Sequence, residues 1–94
     1  MSSALSALEQ LLALSEAMLK AASAQDWEAL ASREGERRAL VDKLPATLGS
    51  EPATAAQARA LIDACLQCDA QVRPLVATRL NELRVLLRET PPGA

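Results

Sequence analysis

The chain has 94 residues, ten basic against twelve acidic, a net charge of −2, and a 50% hydrophobic content that includes one aromatic residue and no His. That length allows one domain with a modest core. Nearly balanced, intermixed charge is no nucleic-acid footprint, no apolar run approaches the ~18 residues of a membrane span, and without His the usual base of Ser-His-Asp or Cys-His catalysis is missing.

The first pattern predicts a helix over about 3–24. Leu5, Leu8, Leu12 and Leu19, supported by Leu11 and Met18, recur at helical spacing opposite Glu9, Glu16 and Lys20. Ser6 and Glu9 fit a capping box, and Ser3 is an equal candidate for the start. Lys20 is the first basic residue, too late for a secretory leader, so a cytoplasmic protein with reduced thiols is expected.

Residues 24–26 contain neither Gly nor Pro, which leaves a continuous helix open, but Asp26 is a good N-cap and Glu28 suits the positive end of a helix. The preferred reading is a turn followed by a second helix over about 26–44. Trp27, Leu30 and Glu34 are its structural anchors: the lone indole packs at the junction, and a carboxylate on the same stripe needs Arg37 or Arg38. Glu34, Glu36 and Asp42 lie among Arg33, Arg37, Arg38 and Lys43, a pattern of helical ion pairs rather than an acid/base dyad.

Pro45, Gly49 and Pro52 mark a loop over 45–53. Thr54 and Gln57 then form a capping box ahead of a third helix over about 54–89, and Thr90-Pro91-Pro92-Gly93-Ala94 reads as a frayed tail. Pro74 interrupts that helix and predicts a kink rather than an end, because strong helix formers continue beyond it. The fold class is therefore all-α, a small antiparallel bundle of three helices in one domain. The third helix, on the order of 50 Å long against about 30 Å for the others, must overhang them.

Cys65 and Cys68 have redox-type spacing but fall in mid-helix, away from the helix N-terminus that activates such thiols, and two thiols alone cannot complete a zinc site. The three Gly residues are too scattered for a phosphate loop. No catalytic residue, metal or cofactor is expected.

Two stripes separate along the third helix. Leu61, Cys65, Cys68, Val72 and Leu75 follow one line and read as core. Ile62, Leu66, Asp69, Arg73 and Val76 follow the next, where branched apolar residues flank a carboxylate and a guanidinium, as in a binding groove with a polar rim. A plain boundary between core and solvent has the same pattern.

Trp27-x2-Leu30-x3-Glu34, then Arg37 or Arg38 with a leucine-rich helix end, a Pro-containing loop, and a long helix closing in Arg79-Leu80-Asn81-Glu82-Leu83 together resemble the FliT family of flagellar export chaperones. The resemblance covers about residues 5–89. It implies a cytoplasmic helical bundle without enzymatic activity that binds the C-terminal region of the flagellar filament-capping protein before type III secretion, with Ile62, Leu66 and Arg73 on the partner surface. It also implies contacts with export ATPase components and, in some bacteria, with a flagellar transcriptional activator. The sequence departs from the family at Gln25, where Gly is frequent, and it shows no fourth helix over the binding face, on which autoinhibition and the transcriptional role depend. The competing expectation is a structural module whose overhanging helix self-associates as a homodimer.

Overall fold

The computed structural model describes residues 3–44 and 52–89, which form three helices: α1 (Ser3–Ser23), α2 (Trp27–Asp42) and α3 (Pro52–Glu89). Among the described residues there is no strand. The 45–51 part of the expected loop and the expected frayed tail at 90–94 lie outside the described residues.

A turn, not a continuous helix, separates α1 from α2. Gln25 adopts φ 60°, so the chain leaves α1 through a left-handed residue. The Gln25 amide donates to the Ala22 carbonyl at 3.1 Å and the Asp26 amide to Ala21 at 2.8 Å, the two bonds of a Schellman motif. Asp26 then starts α2, its carboxylate accepting the Ala29 amide at 3.2 Å. The position where the family resemblance favours Gly is thus the one that needs a positive φ, and Gln25 carries the steric cost of a Cβ there.

Both remaining helix starts fall upstream of one sequence signal. α1 begins at Ser3, so Ser6 lies inside it. α3 begins at Pro52, two residues ahead of Thr54. Proline suits the first helical position because its missing N–H has no partner to lose there and its φ is preset.

α3 runs unbroken through Pro74, whose missing N–H withdraws one bond from the Ala70 carbonyl. Both residues are exposed, so water can serve that carbonyl. Thr78 Oγ1 donates to the Pro74 carbonyl at 2.9 Å.

Helix order is up, down, up, with α1 in the middle. Leu5 and Glu9 lie beside Gln57 and Leu61, Leu11 beside Cys65, and Met18 beside Val72, so α1 and α3 run in the same direction. α2 runs opposite to both, with Val41 near Leu11 and Trp27 near Met18. α1 packs against each neighbour, whereas the α2 and α3 backbones stay apart.

The core lies between α1 and α3: Leu8, Ser15, Met18, Ala21 and Ala22 meet Ala58, Cys65, Cys68 and Val72, and α2 buries no residue. Small Ala and Cys side chains let α1 and α3 approach closely. At about 57 Å, α3 accounts for most of the 62 Å long axis. Its last described turns are exposed, with Leu80, Val85, Leu86 and Leu87 in solvent.

Candidate functional site

Because α1 holds both neighbours while α2 and α3 stand apart, an open cleft runs between α2 and α3 with α1 as its floor. Side chains bridge it at two levels. Arg37 of α2 forms an ion pair with Asp69 of α3, and the Arg79 guanidinium lies over the Trp27 ring, 5.8 Å from its centroid.

The Arg37–Asp69 pair stands on a buried polar base. Ser15, only 1% exposed, donates from Oγ to the Leu11 carbonyl one turn back at 2.9 Å, which satisfies the hydroxyl within its own helix. Arg37 Nη1 reaches the same Oγ at 3.4 Å. Among the described residues no buried side-chain nitrogen or oxygen lacks a partner, so the bridge stands without an orphaned polar atom.

That bridge divides the cleft into two apolar hollows. One, of about 280 Å³, is lined by Leu11, Val41, Ile62, Cys65 and Leu66 around the Arg37–Asp69 pair. The other, of about 440 Å³, is lined by Trp27, Leu30, Ala31, Val72, Val76 and Leu83, with Glu34 and Arg79 at its rim. Large apolar side chains at the first remain open to water: Val41 is 46%, Ile62 37% and Leu66 54% exposed. Apolar surface left in water costs free energy, and this makes the hollow the candidate site.

The five residues expected to contact a partner divide along this cleft. Ile62, Leu66 and Asp69 line the first hollow and Val76 the second, while Arg73 is exposed on the helix between them and lines neither. Of the anchors, Trp27, Leu30 and Glu34 all line the second hollow, so the indole is a half-buried wall rather than a core residue. Glu34 pairs with Arg38, and Arg33 with Glu36 at 3.0 Å, but Arg37 leaves the α2 surface to reach across to α3.

Sequence reasoning missed Ser15, which follows Leu8 and Leu11 at helical spacing and reads as a break in an apolar stripe. The signal was there in principle, because a hydroxyl can bond its own helix and so tolerate burial. Val41, Arg79 and Leu83 were not singled out as site residues, and only cross-helix register brings them to the cleft.

Chemically the cleft offers binding surface. Burial raises both the Cys65 and Cys68 thiols above their ordinary value; the Ser15 hydrogen bond opposes this at Cys65, and Glu16 and Asp69 add to it at Cys68. Buried thiols held neutral are poor nucleophiles. Among the described residues no group of three His, Cys, Asp or Glu side chains could hold a metal ion, and no helix is long and apolar enough to cross a membrane.

A family model, that of flagellar protein FliT, matches residues 5–91. The chain belongs to the FliT family. FliT proteins are flagellar chaperones, not enzymes, in keeping with a site built of apolar walls and salt-bridged rims. No curated protein and no solved structure matches the chain.

Proposed function

We propose that this FliT-family chain is a cytoplasmic chaperone of flagellar type III export that holds the C-terminal region of the filament-capping protein in the cleft between α2 and α3. The observation that carries the reading is the cleft itself, with apolar walls from two helices that do not close on each other. An amphipathic helix laid there would place apolar anchors in the two hollows and a polar residue against the Arg37–Asp69 bridge between them. On the α3 wall, Ile62 and Leu66 supply the apolar contacts of one hollow and Val76 that of the other, and Asp69 and Arg73 the polar contacts that discriminate among clients. An unassembled export substrate benefits from such cover because an apolar, helix-prone tail aggregates when exposed. Export ATPase components and a flagellar transcriptional activator are further partners within this reading.

Trp27 provides the test, since it is the sole indole and lines the cleft. Titrating a peptide of the capping protein's C-terminal region should shift its emission and saturate. Leu66→Asp should abolish that shift with helical circular dichroism unchanged, because Leu66 is more than half exposed and contributes little to the core. Undiminished binding by Leu66→Asp removes this cleft as the client site.

A further inference from the structure

Arg37 and Asp69 cross the cleft between its two apolar hollows with their hydrogen-bonding capacity only partly used. Arg37 donates through Nη1 alone, to Asp69 Oδ1 and to Ser15 Oγ. Among the described residues nothing engages Arg37 Nη2 or Nε, or Asp69 Oδ2. Both side chains are partly exposed, so water serves those atoms in the free chain.

A helix laid in the cleft displaces that water, and the residue it sets over the bridge must then supply both an acceptor for the guanidinium and a donor for the carboxylate. A second carboxylate would serve Arg37 but stand against Asp69, and a cation would serve Asp69 but stand against Arg37. An apolar residue would serve neither and would leave a desolvated ion pair with unmade hydrogen bonds. The carboxamide of Asn or Gln is uncharged and carries an acceptor oxygen beside an NH2 donor, so one group can accept from Arg37 and donate to Asp69.

The spacing along α3 says where that group must stand. Ile62 in the first hollow, Asp69 at the bridge and Val76 in the second hollow succeed one another at intervals of seven residues, about 10.5 Å each. A helix packed alongside α3 meets them with its own seven-residue repeat, and a single polar residue in such an apolar seam fixes the register. The pattern is symmetric about its centre, so it holds for either direction of the bound helix.

From this unused capacity we propose that the Arg37–Asp69 bridge reads a carboxamide on the bound helix, an Asn or Gln with an apolar anchor seven residues to each side. Resting on the proposed function, this readout deepens it: apolar walls accept many amphipathic helices, and the bridge chooses among them by rejecting a charge or an apolar side chain at the centre.

Designed amphipathic peptides with Leu at both anchor positions and one variable residue midway test this against the full-length chain, with Trp27 emission as the readout. Gln, Glu, Lys and Leu have similar helix propensities, so the helicity of the free peptides does not set the ranking. The Gln peptide should bind at least about tenfold more tightly than the Glu, Lys and Leu peptides. Arg37→Met/Asp69→Leu, with folding checked by circular dichroism, should reverse the order and prefer the Leu peptide. A Glu, Lys or Leu peptide that binds the parent chain as tightly as the Gln peptide overturns the readout, and so does a Gln preference that survives in the double variant. Should the double variant lose helicity, the peptide series on the parent chain decides alone. A peptide of the capping protein's C-terminal region separates the two readings: if it fails to bind while the Gln peptide is preferred, the readout stands and the client assignment falls. If it binds while the Gln and Leu peptides are equal, the client stands and the readout falls, and if no peptide binds both fall.

Discussion

The two long sides of α3 differ by a single step along the helix. On the side facing α1, Ala58, Cys65, Cys68 and Val72 are buried; on the side facing α2, Ile62, Leu66 and Val76 line an unfilled cleft. Hydrophobicity does not distinguish them, because the larger and more apolar side chains are on the open side. Size does. Small residues let α1 and α3 approach closely, while bulky ones on α3, opposite an α2 that meets it through the long side chains of an ion pair, leave an open apolar cleft.

Substitution on either side measures that difference most directly. Leu8 is fully buried between α1 and α3, so Leu8→Ala should lose about 3 kcal/mol of unfolding free energy, for lost transfer and a residual cavity. Leu66→Ala on the open side should stay within about 0.5 kcal/mol of the parent. Urea unfolding followed by circular dichroism compares the two, and equal losses would mean that the cleft is closed in solution.

Much of this contrast was legible in the sequence. Helix number and type followed from the 3.6-residue period, and the two stripes read on α3 separate in their middle, where Cys65, Cys68 and Val72 are buried while Ile62 and Leu66 are exposed; Leu61 and Leu75, read with the core, are only half-buried. The period fixes which residues share a face, and residue size hints at how closely that face is approached. Less legible was whatever depends on register between helices. Arg37 has acidic neighbours on α2, so its pairing with Asp69, 32 positions away, has no local signature. Trp27 was placed at the junction by its position beside Asp26, yet nothing local tells that α2 buries no residue and that the indole becomes a cleft wall. The start of α3 was displaced by a competing signal, the Thr54 capping pattern, to which Pro52 was the better guide.

The ion pair that bridges the cleft can be weighed against one that lies outside it. Arg37 and Asp69 are 23% and 28% exposed at the side chain and join two helices, whereas Arg33 and Glu36 are 48% and 49% exposed and lie on one. Double-mutant cycles through Ala should give a coupling of about 1 kcal/mol for the first pair and about 0.3 kcal/mol for the second, with the first also less sensitive to salt. Equal couplings would show that the bridge is an ordinary surface contact and that the placement of α2 rests on its packing against α1.

The smallest expected effect lies at the turn between α1 and α2, where Gln25 adopts a left-handed conformation. A side chain at φ 60° bears a steric cost of order 1 kcal/mol that Gly avoids, and Gly in turn loses more backbone freedom on folding. The difference favours Gln25→Gly by about 0.5 kcal/mol, readable as a small rise in the urea midpoint. Because the Schellman bonds run between backbone atoms, the turn and the seat of α2 should survive the change, and peptide titration followed by Trp27 emission should be unaltered. A gain in stability accompanied by altered binding would couple the turn to the cleft, and the closed and open sides of the molecule could then no longer be treated as independent.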